Sequence, residues 1–145
     1  GAPQGARTPY LDPFLEVVRS VDTSGPITGV SLSAIYGLLS HGFITADVPD
    51  AAVAMHDLVE AVTHCRFEAT DPASDEVVLA KILQVLLACV NSPGGVLLGD
   101  DDICNVVQTC YRIGHQSGKK GGLLQQTSRQ VLHDVVRTIF AGFQS

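Results

Sequence analysis

Residues 70–90 read TDPASDEVVLAKILQVLLACV, and the start of this stretch has the signals that begin a helix. Asp71 is a residue type that caps a helix, and Pro72 follows at the first helical position, where its missing N–H is not needed. Asp75 and Glu76 then lie near the positive end of the helix dipole, where acidic side chains are favoured. The stretch therefore predicts a helix that begins at Asp71.

The rest of the same stretch decides how the helix packs. From Val77 onward, Lys81 and Gln84 are the only polar residues of this helix before the stop at 91–95, which reads NSPGG. A helix that is apolar nearly all round is buried among other helices. We therefore predict that this helix is central and the most buried of the chain.

Outward from this helix, apolar residues recur at helical spacing and no long window alternates as a strand does. The other predicted helices cover 12–20, 27–40, 49–66, 102–114 and 123–140. Six helices joined by short loops pack as antiparallel pairs, so the fold class is all-α, an α-solenoid of the armadillo or HEAT kind. No repeat of about 40 residues is visible, so a compact helical bundle stays open as the alternative.

Individual positions sharpen this prediction. Gly29 and Gly37 lie inside the second helix and suggest that a neighbouring helix approaches closely there. Predicted buried stripes on the third, fifth and sixth helices are Ala51, Met55, Leu58, Val62 and Cys65; Ile103, Val106, Val107, Cys110 and Ile113; and Leu124, Val131, Leu132, Val135 and Ile139.

Composition bounds the chain to one interaction domain. Its 145 residues suit a single core over 10–145, with 1–9 as a flexible tail or a remnant of cloning. Charged residues make up 17%, below the roughly 25% of an ordinary soluble domain, so part of the surface is expected to be covered by a partner. A net charge of -6 argues against nucleic acid and against an anionic membrane patch. Lys119 and Lys120 are the only adjacent cations.

Cysteine usage and hydropathy indicate the compartment. Cys65, Cys89, Cys104 and Cys110 form no CxxC pair and fall inside apolar helical patterns, which favours a reducing, cytosolic location. The longest apolar run, 82–90, is far below the ~18–20 residues that span a bilayer. No direct transmembrane contact is expected.

Three groups of residues resemble catalytic or ligand sites. His56, Glu60 and His64 share one helix side but lack the HExxH order, so we expect a solvated face with no metal. The segment 114–120 has three residues between its glycines where a phosphate loop needs four, and Asp100, Asp101 and Asp102 lack the spacing of a calcium loop. We therefore predict no catalytic residue, no cofactor and no metal.

Glu76 is the most informative single charge. It lies on the helix above Ala80, Leu83 and Leu87, an apolar side away from Lys81 and Gln84. Complementing the helix dipole is the simpler interpretation, and the functional one is a charge that sets the specificity of a protein contact. The candidate protein interface is Asp75, Glu76, Ala80 and Leu83.

Three segments carry a resemblance to a known family: PFLEVVRSVDTSGPITG at 13–29, AVTHCRF at 61–67 and TDPASDEVVLAKILQVL at 70–86. The chain resembles the N-terminal dimerisation and cyclophilin-binding (DCB) domain of the large Arf guanine-nucleotide exchange factors, of the Golgi brefeldin-A-resistance factor and GNOM type. Weaker similarity runs through ICNVVQTCYRIGH to the C-terminus.

The resemblance implies a non-catalytic α-solenoid module of a larger cytosolic protein that associates peripherally with Golgi membranes during vesicle traffic. It further implies self-association, contact with the neighbouring homology-upstream (HUS) region, and binding of cyclophilin or a small GTPase. Two departures stand out: the family domain begins with further helices before the match to Pro13, and a lysine that pairs with the acid matching Glu76 falls here on Gly37.

Two other function classes stay open. A generic armadillo-like adaptor would bind a peptide or a small GTPase along its concave side. A hydrolase or metalloenzyme would show a metal or a polar cleft with perturbed carboxylates or histidines.

Overall fold

A computed structural model describes residues 10–67, 71–116 and 122–144 and confirms the all-α prediction. Residues 142–144 are described by their backbone alone. Within those ranges the α-helices are α1 (Asp12–Arg19), α2 (Gly25–Ser40), α3 (Ala51–Thr63), α4 (Pro72–Asn91), α5 (Asp100–Gln116) and α6 (Leu123–Gln144). The tail 1–9 and most of the lysine-containing turn, 117–121, lie outside the described residues.

Contacts between the helices define two layers. In one layer α1 contacts α3 and α3 contacts α5; in the other, α2 contacts α4 and α4 contacts α6. The layers are joined by the sequential pairs α1–α2, α3–α4 and α5–α6. Each pair touches only its neighbours, which is the arrangement of an α-solenoid of helix pairs.

Local signals explain where the central helix begins and ends. The Asp71 carboxylate accepts a hydrogen bond from the Ser74 backbone N–H at 3.2 Å, as an N-cap does. After α4 the chain makes a short 3₁₀ turn, Pro93–Leu97, that the sequence did not predict. Gly95 is required there, because a Cβ atom would lie 2.5 Å from the Val90 carbonyl oxygen.

Helix α2 begins two residues before its predicted start. Gly25 and Pro26 form the first turn of the helix, where proline is tolerated because its missing N–H is not needed. A Cβ on Gly29 would lie 3.3 Å from Lys81 Nζ, so a close approach exists there. The prediction for Gly37 is wrong, because nothing lies within 4 Å of a Cβ built on it.

The core confirms most of the predicted stripes. All five residues of the stripe predicted for the third helix are buried. Helices α3 and α4 contribute the two largest sets of buried side chains. On α6, Leu124, Val131 and Val135 are buried, but Ile139 is 42% exposed, which corrects the prediction. Ile139 lies beyond the part of α6 that α4 and α5 cover.

Three of the four cysteines are buried and the fourth is not. Burial raises the pKa of the Cys65 thiol to about 11 and that of Cys110 to about 12, and it raises the pKa of Cys89 further. Cys104 is exposed on α5, although it falls inside an apolar helical pattern of the sequence. The reason is its position beside Asp102 and Val106, which take the inward-facing side of that helix.

None of the helices in the described ranges combines the length and the hydropathy that a membrane crossing requires.

Candidate protein interface

The outward side of α4 lies between α2 and α6 and forms two open grooves that share Gln84. The first, which we call the N-terminal groove, has a volume of about 350 Å³. Its lining residues come from the part of α4 between Ala73 and Gln84 and from the first residue of α6: Ala73, Glu76, Val77, Ala80, Lys81, Gln84 and Leu123. Val77 is 55% exposed there, so an apolar side chain is open to a partner next to a carboxylate.

The four predicted interface residues differ in whether a partner could reach them. Asp75 and Glu76 are half-buried in the first turns of α4, and Ala80 lines the N-terminal groove beside Glu76. Leu83 has no exposed surface, so it belongs to the core and no partner can contact it. Along the line of residues below Glu76, Ala80 is 7% exposed and Leu83 is fully buried, whereas Leu87 is half-buried and lines the second of the two grooves.

Lys81 also differs from expectation. The sequence interpretation placed it away from Glu76, whereas both residues line the N-terminal groove. The Lys81 ammonium group donates a hydrogen bond to the Gly29 carbonyl oxygen at 3.4 Å and so bridges α4 to α2. The groove therefore offers one acidic and one basic side chain, each next to apolar surface.

The second groove, which we call the amide groove, lies between the C-terminal halves of α2 and α4 and has a volume of about 590 Å³. Helix α2 contributes Tyr36, Leu39 and Ser40, and α4 contributes Gln84, Leu87, Ala88 and Asn91. Ser92 and Pro93 close the end. Among the residues that the structure describes, those lining the groove include no Asp, Glu, Lys or Arg.

A hydrogen-bonded cluster fixes one end of the amide groove. The Asn91 Nδ2 group donates to the buried Asp134 carboxylate at 2.8 Å, and Arg137 donates to Asn91 Oδ1 at 3.4 Å. The bond from Asn91 is the largest influence that holds the pKa of Asp134 below its usual range, with His133, Arg137 and Gln130 adding to it against the effect of burial. This cluster joins α4 to α6 and orients the Asn91 amide.

On the opposite layer, His56 connects α3 to α5. Its Nδ1 lies 2.7 Å from Asp102 Oδ1, and its Nε2 lies 3.2 Å from Glu60. Asp102 is 4% exposed, and its other oxygen accepts from the Gly99 N–H at 3.1 Å. The hydrogen bond to Asp102 is the main cause that raises the pKa of His56 above its usual value. Asp102 thus joins α5 to α3 and also accepts a hydrogen bond from the backbone just before α5.

The donor atoms of His56, Asp57 and Glu60 lie within 4.8 Å of one another, the one such cluster in the described ranges that could hold a metal ion. His64, the third residue of the sequence pattern, is not in this cluster, because its Nδ1 lies 2.9 Å from the Glu60 carbonyl oxygen. All three cluster residues are at least partly exposed, and two of them, His56 and Glu60, pair with each other at 3.2 Å. Our prediction that no metal binds stays a prediction.

The last helix leaves an apolar face uncovered. Val136, Ile139 and Phe140 are 51%, 42% and 62% exposed, and their spacing places them on one side of α6. In a solenoid, such a face at the end of the stack is the surface that a further helix pair would cover.

These features define a class of protein, an all-α solenoid with open grooves along α4 and an exposed apolar face on α6. The chain belongs to the family described as the Mon2/Sec7/BIG1-like dimerisation and cyclophilin-binding (DCB) domain, which matches residues 5–145. The resemblance seen in three short segments is therefore confirmed over nearly the whole chain.

Relatives in plants and animals agree with this assignment. The chain is 51% identical over 132 residues to the ARF guanine-nucleotide exchange factor GNOM of Arabidopsis thaliana, and equally to GNL1 of the same plant. It is 39% identical over 132 residues to the Golgi-specific brefeldin A-resistance guanine nucleotide exchange factor 1 homolog of Caenorhabditis elegans. These matches cover 90–91% of this chain but only 7–9% of the relatives' lengths.

The sequence missed the amide groove, the Asn91–Asp134 pair and the His56–Asp102 pair. A signal for the first existed, since Gln84 and Asn91 are polar residues seven apart on an otherwise apolar helix. The two pairs join residues more than 40 positions apart, so only the packing of the helices reveals them.

Proposed function

We propose that this chain is a non-catalytic dimerisation and regulatory domain of a large ARF guanine-nucleotide exchange factor that acts in Golgi vesicle traffic. The observation that carries the proposal is the match of residues 5–145 to the DCB family, whose description contains dimerisation and cyclophilin binding. The exchange reaction itself would belong to another part of the parent protein, because the matches span less than a tenth of the relatives' lengths in the two plant proteins.

Self-association would use the N-terminal groove. Val77 offers exposed apolar surface there, and Glu76 and Lys81 offer charges of opposite sign on the same surface. In a two-fold symmetric contact the same surface serves both copies, so an acid on one copy can meet a base on the other. Charges so placed set the specificity of pairing more than its strength. Asp75, Glu76 and Ala80 remain the proposed contact residues.

A charge reversal tests this. Glu76→Lys is expected to weaken self-association by about tenfold or more, because it replaces an attraction across the interface with a repulsion between like charges. The measurement is sedimentation equilibrium over a range of protein concentrations, with far-UV circular dichroism to check helicity. The matched control is Glu16→Lys, which reverses an exposed charge on α1 in the other layer.

Two results would contradict the proposal. One is a wild-type chain that remains a monomer at all concentrations measured. The other is a dimer whose dissociation constant is the same in the Glu76→Lys variant, which would leave that carboxylate as a partner of the helix dipole alone.

Contacts with the HUS region of the parent protein form the second part of the proposal. The uncovered face of α6 supports them, since Val136, Ile139 and Phe140 would be buried by a following helix pair. Cyclophilin, or a small GTPase, is the further partner that we propose. We also propose peripheral association with Golgi membranes, from a cytosolic pool, which is consistent with the name of the Caenorhabditis elegans relative, a Golgi-specific brefeldin A-resistance factor homolog.

The alternative, a generic armadillo-like adaptor that binds a peptide, has one observation in its favour. The amide groove is uncharged, open and separate from the proposed dimer surface except for the shared Gln84. The two functions are compatible, because one uses the first half of α4 and the other its second half.

A further inference from the structure

We infer that the amide groove is a binding site for an extended, uncharged peptide segment with aliphatic side chains, supplied by a partner protein. This goes beyond self-association and uses a different surface. The inference rests on the groove's lining, on the spacing of two amide side chains and on the way one of them is held.

The lining suits a peptide without charge. Leu39, Leu87 and Ala88 form an apolar floor, and Tyr36, which is 45% exposed, forms one wall. The described residues around this floor supply hydroxyls and amides but no charged group, in a chain with a net charge of -6. A charged side chain on the apolar floor would lose hydration without meeting a lining residue of opposite sign, because Arg137 and Asp134 lie behind Asn91 at one end, outside the lining. An aliphatic side chain would gain by burial there.

Two amide side chains match the repeat of an extended backbone. Gln84 and Asn91 both line the groove and are seven residues apart on α4, a rise of about 10.5 Å at ~1.5 Å per residue. Three residues of extended chain span about the same distance at ~3.3–3.6 Å each. An amide donates and accepts hydrogen bonds, which is what a backbone N–H and C=O require. The pair can therefore bind backbone groups one short stretch apart.

Asn91 is already held in position. Its Nδ2 donates one hydrogen bond to Asp134 and its Oδ1 accepts one from Arg137. An amide has two N–H groups and two acceptor sites, so one of each remains for a ligand. The Asn91 side chain is already ordered in the free protein. Peptide binding therefore does not have to offset a loss of its conformational entropy. Gln84 is exposed and makes no hydrogen bond within the described ranges, so both ends of its amide are available.

The shape of the groove favours an extended segment over other occupants. It is open along its length, so a small molecule would leave much of its surface in water. A docked helix satisfies its own backbone groups and would leave the Gln84 and Asn91 amides without use. The amides instead suit a segment whose backbone groups are free.

The test uses the isotope-labelled chain and a defined probe. The probe is a mixture of short peptides, acetylated and amidated at their ends, composed of Ala, Leu, Pro, Ser, Thr and Val. The side-chain NH₂ resonances of Gln84 and Asn91 in nitrogen–proton correlation spectra are expected to shift and to saturate with this mixture. A matched mixture in which each peptide carries one Asp or Lys should shift them much less.

Variants distinguish binding through hydrogen bonds to the amides from nonspecific hydrophobic binding. Gln84→Ala is expected to weaken binding by about three- to tenfold, the size of one net hydrogen bond. Ala88→Arg, which fills the floor with a charged side chain, should abolish it. Gln108→Ala removes an exposed amide from α5 in the other layer and should have no effect. Peptides with N-methylated backbones should bind as weakly to the wild-type chain as unmodified ones bind to Gln84→Ala.

Three outcomes would overturn the inference. The first is that neither resonance moves at millimolar total peptide. The second is equal binding of N-methylated and unmodified peptides. The third is a shift of both resonances with protein concentration alone, which would assign the groove to a second copy of the chain. The proposed dimer is tested separately, because Glu76→Lys should leave peptide binding intact.

Discussion

Asp102 shows how much one residue can depend on its surroundings. In the sequence it is the last of three acids before a helix. In the structure, Asp100 and Asp101 are exposed, whereas Asp102 is buried between the Gly99 N–H and the His56 ring. A buried carboxylate is tolerated only with such partners. The pair therefore holds the start of α5 against the middle of α3.

His56 should carry a pH dependence that follows from this pair. Its pKa is raised by the hydrogen bond to Asp102 and by the charges of Asp102, Glu60 and Asp57, against the opposing effect of burial. A group with a raised folded pKa contributes stability fully below its unfolded pKa, about 6.5, and this contribution is lost as the pH rises through the folded value. The contribution of His56 to the free energy of unfolding should therefore decrease from about pH 6.5 upward, as the pH rises through the folded pKa of His56.

Proton NMR titration of the histidine rings measures this directly. Asp102→Asn is expected to lower the pKa of His56 and to flatten the decrease of stability with pH, since the main cause of the shift is removed. Asp101→Asn is the matched control, because Asp101 is exposed. An unchanged His56 pKa in Asp102→Asn would show that the pair does not exist in solution.

At the scale of one element, the apolar pattern of α4 does not predict which of its leucines are fully buried. Leu79 and Leu83 are one turn apart and read alike in the sequence. Leu83 has no exposed surface, whereas Leu79 is only partly buried and packs at the edge of the core. The two leucines therefore differ in how many partners would lose contact on truncation.

We expect Leu83→Ala to lower the free energy of unfolding by about 2–5 kcal/mol, because it leaves a cavity in a packed core. Leu79→Ala should cost clearly less, since neighbours and solvent can fill part of the space. Urea denaturation of both variants measures the difference. Equal losses would mean that the outer side of α4 is covered as fully as its inner side.

On the scale of the whole molecule, α6 at the C-terminal end of the solenoid exposes an apolar face. Val136 and Phe140 are adjacent on that face, and neither supports the core. A double change Val136→Asp and Phe140→Asp is therefore expected to leave the unfolding temperature nearly unchanged. It should weaken binding of an added HUS polypeptide of the same family by more than about tenfold, because two charges would be buried without partners.

Isothermal titration calorimetry with that polypeptide gives the measurement. A suitable control is Val21→Asp with Val30→Asp, which places two charges on exposed apolar positions at the other end of the stack. Equal affinity of the α6 variant and the wild-type chain would assign the HUS contact to another surface.

The sequence by itself determined the fold class, the six helices and the family. Helix signals such as Asp71 with Pro72, and apolar residues at helical spacing, act within a few residues of each other, so they are legible along the chain. The segments 13–29, 61–67 and 70–86 carried the family resemblance in the same way. Helix ends were less well predicted, because Pro26 and Gly25 serve equally at a stop and at a start.

Only the tertiary structure decided which of these helical surfaces are open. Leu83 and Ile139 each follow an apolar stripe, yet one is in the core and the other faces outward, because burial depends on which helices lie alongside. The Asn91–Asp134 and His56–Asp102 pairs, and the groove between α2 and α4, exist only where separate helices meet. Residues brought together over more than 40 positions leave no local pattern, and the candidate sites of this domain are made of such residues.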